Sequence, residues 1–510
     1  MARPPETAAW VLALAAAAAA LGPAPARADD PIVALGLPIP AELALRGVFI
    51  DPVRYRHEYR SDRDFDSERN DEENRDLFKL GFGCDARPLE PVRGRVALRL
   101  TRSWGRDETR RGSASGSEGS GSPPRPDGAG DAPSRPAIDE FGQDHLDLFE
   151  GFVELGPIAG IPLSARVGRQ VVALGAERLL GPDEWVQNSR SWDGARVLFR
   201  SERADLDLFW GRLVRFRGSN DRNANTPVET VDVLAAWQTA RPVEGLAVDA
   251  YWLARLDDDT PYASEESEAR PLRRLAVHAF GGRAVLDPGP LRLEVEGLYE
   301  TGARGRDPLE AYGALGLATW RAPALLRPLL EVSAGFAYGS GDRSPRDGRA
   351  ETLDSFYPSG HGRFGDIDLA SWQNVQDARF QASFEAHRFK LREPSPPRPK
   401  GAPPPHLFER VQEEQVPPEQ ALLIEVGLHA LWLASARDAW YDAELRPLRR
   451  DASGEAGKDL GRELDAVVRF GAFSGGYAHF FPGAFVHRTE AGGARMTGAD
   501  LFWFQVAMVF

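Results

Sequence analysis

The chain has one cysteine, Cys84, so no intramolecular disulfide can staple it. After residue 28 no stretch approaches the ~18 uncharged apolar residues of a membrane helix. There is no H-E-x-x-H zinc helix, no phosphate-cradling Walker loop and no G-x-S-x-G nucleophile turn. An outer-membrane hydrolase, one competing function class, would need a nucleophile and base that are not found. The nine histidines are scattered. His387 and His429 fall on the polar faces of neighbouring predicted strands, close enough to approach each other, but two histidines are an incomplete metal site. Basic charge is short too. The formal net charge of −14 argues against a nucleic-acid binder, which would need a basic face. No cofactor is indicated.

What is present begins with an export leader. Arg3 gives a positive start, Ala8 to Leu21 is an alanine-rich apolar run, and Pro23 and Pro25 break it. Ala26-Arg27-Ala28 then offers a small-residue cleavage pattern before Asp29. That order predicts a secretory signal peptide over residues 1–28, since the apolar run is too short for the ~20 residues of a spanning helix. Residues 29–46 are expected to form a short periplasmic segment.

From residue 47 onward the hydrophobic period is two. Val92, Gly94, Val96, Leu98 and Leu100 alternate with Arg93, Arg95, Ala97, Arg99 and Thr101. Leu291, Leu293, Val295, Gly297 and Tyr299 alternate with Arg292, Glu294, Glu296 and Glu300. Such runs predict strands with one apolar and one polar face. A soluble sandwich would show them as well, so the connections decide. Long polar links at 61–76, 105–145, 176–192, 340–374 and 436–460 alternate with tight ones at 87–91, 157–161, 201–203 and 287–289. Long loops on one side and short turns on the other are the outer-membrane arrangement. The expected fold is all-β: a transmembrane antiparallel β-barrel of about 18 strands over residues 47–510. Its place is the bacterial outer membrane. Closure pairs every strand edge, so the lack of disulfides is no obstacle.

Two segments stand apart. Residues 391–420, where a tight inner turn is expected, carry Pro394, Pro396, Pro397, Pro403 to Pro405, Pro417 and Pro418. Proline at that density favours extended chain. The segment reads either as a periplasmic excursion toward a partner or the pore mouth, or as a solvated linker. Gly112 to Pro136, inside the outer loop 105–145, is low in complexity and expected to be mobile. The last strand places Phe502, Phe504, Val506, Met508 and Phe510 on one face. Ending on Phe510, it resembles the signal read by barrel-insertion machinery.

The stretch Ser164 to Val197 reads SARVGRQVVALGAERLLGPDEWVQNSRSWDGARV. It resembles the alginate-export family of outer-membrane porins. There, a strand carrying G-R-Q leads into a loop with G-x-x-[DE]-W, an arginine, an aromatic residue and D-G-[VA]-R. The matching residues are Gly168, Arg169, Gln170, Gly181, Glu184, Trp185, Arg190, Trp192, Asp193, Gly194 and Arg196. Phe82 to Pro88 and Ser435 to Tyr441 are weaker matches. The resemblance implies a monomeric channel that passes an anionic exopolysaccharide outward by diffusion, without a cofactor. Trp185, Trp192, Asp193 and Gly194 would order the loop, and Arg169, Arg190 and Arg196 would cluster near a constriction.

The polar faces of the first strands agree in part. They carry Arg54, Arg56 and Arg60, then Arg93, Arg95 and Arg99, then Arg166, Arg196 and Arg200. Guanidinium forks suit the carboxylates of a uronate chain. The other reading is that these arginines pair with lumen acids. Later strands place Asp205, Asp207, Glu294, Glu296, Glu331, Glu385, Glu425, Glu463 and Asp465 on the same face. That predicts an arginine wall facing an acidic one, which also suits an uptake porin for small solutes. Strict alternation sets Arg169 beside Val167 on the lipid face, at a cost of ~2–4 kcal/mol at mid-bilayer, unless a bulge at Gly168 turns it inward. Asp257-Asp258-Asp259, expected in an outer loop, reads as a weak Ca²⁺ candidate or as a solvated acidic loop. Expressed with its leader, the protein should fractionate with outer membrane and migrate faster on gels when unheated. Recovery in the soluble periplasm would refute the barrel.

Overall fold

The computed structural model of the chain describes residues 47–51, 53–62, 65, 72–89, 91–107, 145–215, 226–227, 231–262, 265, 272–390, 419–489 and 497–508. The leader over 1–28, the segment 29–46, the tract Gly112 to Pro136, the prolines between 391 and 418 and the terminal Phe510 lie outside the described residues. The wall runs β1 (Val48–Ile50, continued by Val53–Ser61), β2 (Glu73–Leu89), β3 (Val92–Asp107), β4 (His145–Leu155), β5 (Leu163–Gln170) and β6 (Trp192–Arg200). It continues through β7 (Ala204–Arg215), β8 (Val231–Val243), β9 (Leu246–Tyr262), β10 (Leu272–Leu286), β11 (Leu291–Arg304) and β12 (Asp307–Arg321). It ends with β13 (Leu329–Gly339), β14 (Val375–Lys390), β15 (Glu419–Leu433), β16 (Asp459–Phe470), β17 (Phe473–Pro482) and β18 (Ala499–Met508). Each strand pairs antiparallel with the next. β18 returns to β1, with Val53 opposite Met508 and Ser61 opposite Asp500. The sheet is closed. The expected succession of strands holds, and closure leaves no edge for lipid to solvate.

The wall is inside-out relative to a soluble protein. Along β11, Leu291, Leu293, Val295 and Tyr299 are the exposed residues, while Glu294, Glu296 and Glu300 are buried. Exposed apolar and buried charged positions on one strand mean lipid outside and a polar lumen within.

Part of the lumen wall is nevertheless apolar. Val233 and Trp237 of β8, Leu253 of β9, Val277 of β10, Ala311 of β12 and Ala337 of β13 point inward and are buried. Their cover comes from two loops expected on the outside. The link 171–191 leaves β5 at Gln170 and enters the barrel. The link 340–374 does the same from the opposite wall, bringing Leu353, Phe356, Ile367, Leu369 and Trp372 into one core with the wall residues. The two loops join through a parallel bridge between Leu180 and Tyr357. A third link, 434–458, carries the hairpin Ala439–Tyr441 with Pro447–Arg450. It is tied in by Asn374, whose Nδ2 donates to the carbonyls of Ser435 and Ala439.

Strand geometry tells against the weak Ca²⁺ candidate and keeps the two histidines apart. Asp257 and Asp258 lie within β9, not in a loop, and neighbouring strand residues face opposite sides. Asp257 is buried and Asp258 exposed, so they cannot converge on a cation; the Asp259 side chain lies outside the described residues. His387 pairs across to Leu422, whereas His429 pairs with Arg379, eight residues away along β14. They do not meet, and the described residues hold no cluster fit for a metal. Val295 sits at the centre of the apolar outer band of β11. Val295→Arg should lower unfolding stability by about 2–4 kcal/mol, with Val295→Ala nearly neutral, as read by urea unfolding in vesicles.

Candidate functional site

The tip of the 171–191 loop lands on the arginine-bearing strands. Arg54 Nη1 donates to the Glu184 carbonyl oxygen (2.5 Å) and its Nη2 to that of Trp185 (3.0 Å). Lys79 Nζ donates to the carbonyls of Glu184 and Val186 and to Ser189 Oγ. The Glu184 carboxylate stands 3.3 Å from Lys79 and 3.4 Å from Arg99. Desolvation against the wall would raise its pKa, though the side chain stays half-exposed to the lumen, but Lys79, Arg99 and Arg54 hold it well below the usual carboxylate range. The Trp185 ring is clamped on both sides: the Arg56 guanidinium lies 3.6 Å from its centre, and His361 of the other loop stacks on it at 3.5 Å. One aromatic thus ties the wall to both lumen loops.

The 340–374 loop is fastened by charge. Asp354 pairs with Arg255 of β9 at 2.7 Å, and its backbone N–H donates to Glu300 of β11. At its far end the Ile367 N–H donates to Glu463 of β16 (2.8 Å), and Asp368 approaches both His361 and Arg60. Beneath the loops lies a cavity of about 250 Å³ whose lining includes Arg178, Arg363 and Arg379 together with Asp366, Glu425 and Asp465. Arg178 is matched by Glu294 and Glu296, both at 2.6 Å. Arg363 donates to the carbonyls of Ser359 and Ala176, and Arg379 to that of Arg363; among the described residues neither makes an ion pair. Burial and neighbouring Arg178 pull Arg363 down to about 10.

A lumen lined by guanidinium groups and closed by inward loops fits a conduit for anions. The family model described as alginate export matches residues 50–391 and 412–499. The chain belongs to this family. It is an outer-membrane channel for alginate-like polysaccharide export. No curated protein is a significant match. Among solved structures, the chain is similar to Pseudomonas aeruginosa OpdK with vanillate (10% identity, 91% of this chain and 98% of that one, TM-score 0.49). It is also similar to Acinetobacter baumannii OccAB4 (10%, 91% and 98%, 0.48) and to Pseudomonas aeruginosa OccK11 (12%, 91% and 96%, 0.47).

Most arginines singled out in the sequence have acid partners. Arg93 pairs with Asp85, Arg95 with Glu150 (2.7 Å), Arg166 with Glu154 (2.6 Å) and Arg196 with Asp207 (2.5 Å). Arg56 pairs with Glu58 (2.5 Å). The predicted walls of opposite sign are largely neutralised in place: Glu294 serves Arg283 as well as Arg178, and Glu425 serves Arg469. Arg190 is a loop strut, paired with Asp183 at 3.3 Å and donating to the carbonyls of Gly181 and Pro358.

The inward turn expected of Arg169 does not occur. Gly168 has a φ of +125°, yet the register of β5 runs unbroken on both sides, and the irregularity falls one strand earlier, in β4 opposite Ala97 and Leu98. Arg169 therefore stays on the outer face with Val167 and pairs there with Asp193 at 2.7 Å, which removes it as a lumen ligand. Asp193 orders that pair rather than a lumen loop. Trp192 points inward and is fully buried against Phe209 and Tyr357. A Cβ at Gly194 would sit 2.1 Å from the Trp210 carbonyl, so only glycine admits this strand approach. Lys79, Arg178, His361, Arg363 and Arg379 were not foreseen. Three of them sit on segments that read as outer loops, and only their inward course brings them to the site.

His361 is a titration point. Burial alone would lower its pKa, but Asp368 and then Asp366 raise it above the free value, while Arg56 across Trp185 opposes them. A raised folded pKa means protonation favours docking. The contribution is full below about 6.5 and is lost as pH rises through the raised value. Limited proteolysis within 340–374 should accelerate from neutral to alkaline pH, and His361→Gln should flatten that dependence.

Proposed function

We propose that the channel releases an alginate-like polyuronate from the periplasm by diffusion, as a monomer, with its own uncompensated cations as stepping stones. The observation that carries this is a local excess of positive charge within a mostly neutralised lumen. Lys79 and Arg99 share the carboxylate of Glu184 while Arg54 beside them binds its main-chain carbonyl, and among the described residues Arg363 and Arg379 bind only carbonyl oxygens. Guanidinium groups stay charged and offer two parallel donors to a carboxylate. A pore must bind weakly enough to let go, and shared, lumen-facing cations meet that need better than a dry pocket.

The reading includes no catalytic step. It has the leader of residues 1–28 export the chain, Phe510 present the last strand to the insertion machinery, and 391–420 face the periplasm as the segment open to a partner. An uptake porin for small solutes shares this fold, and the matched pairs Arg93–Asp85, Arg166–Glu154 and Arg196–Asp207 suit it. Reversal potentials across a salt gradient separate the two. Anion preference is expected at low salt, fading toward 1 M, where the Debye length falls to ~3 Å. Replacing Arg99 and Arg363 by glutamine should reduce it, whereas the paired change Arg166→Gln with Glu154→Gln should not. Cation selectivity in the unaltered protein would refute the arginine pathway.

A further inference from the structure

We infer that the Glu184 side chain is a tethered stand-in for a solute carboxylate: it fills a uronate subsite made by Arg54, Lys79 and Arg99 and is displaced by the passing chain. The inference rests on the polyuronate reading for its cargo, but its geometry stands apart.

Docking of the loop does not need the carboxylate. The tip is held by main-chain carbonyls: Arg54 and Lys79 bind that of Glu184, and Arg54 and Arg56 that of Trp185. The Gln187 amide donates to the Phe78 and Arg102 carbonyls of the wall. Trp185 is separately clamped between Arg56 and His361.

The carboxylate itself is loosely held by the wall. Its side chain is 52% exposed to the lumen, while Lys79 and Arg99 are 6% and 9% exposed. It accepts from Ser189 Oγ of its own loop at 3.0 Å, but its contacts with the two cations, 3.3 and 3.4 Å, exceed the ~2.7–2.9 Å of a well-formed charge-assisted bond. Lys79 has three protons and four acceptors within reach, counting the Glu184 carboxylate, so losing that carboxylate leaves no proton idle. Arg99 is the opposite case. Among the described residues its Nε and Nη1 are buried with no acceptor, and its guanidinium lies over Phe149, 3.3 Å from the ring centre. A fork with two donors unmet is a site short of its ligand. The charge of Asp51 also acts on Arg99.

The test is current block in planar bilayers with the full-length protein, using a defined-length oligouronate and, separately, a small dicarboxylate. Glu184→Gln should lower the half-blocking concentration of both by about three- to tenfold, the range expected when one exposed competing carboxylate is removed. Glu184→Asp should behave like the unaltered protein. The heat-modifiable band and an unchanged protease pattern establish that the loop still docks. Unchanged block by the dicarboxylate in Glu184→Gln, or weaker block, overturns the inference. Tighter dicarboxylate block with no response to oligouronate in either protein supports the subsite and instead removes the polyuronate reading.

Discussion

A bilayer core offers the backbone no hydrogen bond, and every other feature of this chain follows from that. A sheet can cross only if it closes, because each free N–H or C=O in hydrocarbon costs several kcal/mol. Closure between β18 and β1 then forces alternate residues outward into lipid and inward into the lumen. Charge goes mainly inward. Most of the arginines and acids that make this chain polar are stacked on the inner face, where they meet across strands and largely cancel; Arg169 on the outer face is matched there by Asp193.

The lumen has a problem of its own. Between β8 and β13 its wall is partly apolar, and apolar area facing water weakens the fold by about 25 cal/mol for each Å² left wet. The 171–191 and 340–374 loops cover that area with Leu179, Leu180, Leu353, Phe356 and Ile367. The barrel thus has a second, ordinary hydrophobic core inside it. Ion pairs such as Arg255–Asp354 and Arg178–Glu296 fix the register of that core. Breaking one side of a buried pair is strongly destabilising even where the pair adds little net stability.

The wall was legible in the sequence, because alternation and hairpin length are local signals. Eighteen strands could be read from residues a few positions apart. The lumen was not, since what fills it depends on which way a loop turns. Phe356 and Trp372 stand in a link that reads as polar, and no local pattern marks them as cover for the wall. The partners of the arginines were visible as an acidic tally but not as pairs, since Arg196 and Asp207 meet by cross-strand geometry. Arg169 shows the reverse. Strict alternation already put it outside, and the inward bulge was an allowance made for its charge; the structure keeps the alternation and supplies Asp193 instead.

Cancellation inside the barrel gives meaning to the few cations that escape it. Matched pairs line most of the lumen and present little field to a solute, so they do not trap it. Arg54, Lys79, Arg99, Arg363 and Arg379 are the exceptions, and they fall in two separate groups, the first three at Glu184 on β1, β2 and β3 and the other two at the cavity beneath the loops. For a small anion such spacing offers isolated weak sites. For a polymer with a carboxylate on every sugar, leaving one site coincides with reaching the next, so the cost of each release is offset by the following contact. A lumen that is neutral on the whole and positive at intervals therefore favours a long polyanion over a single ion.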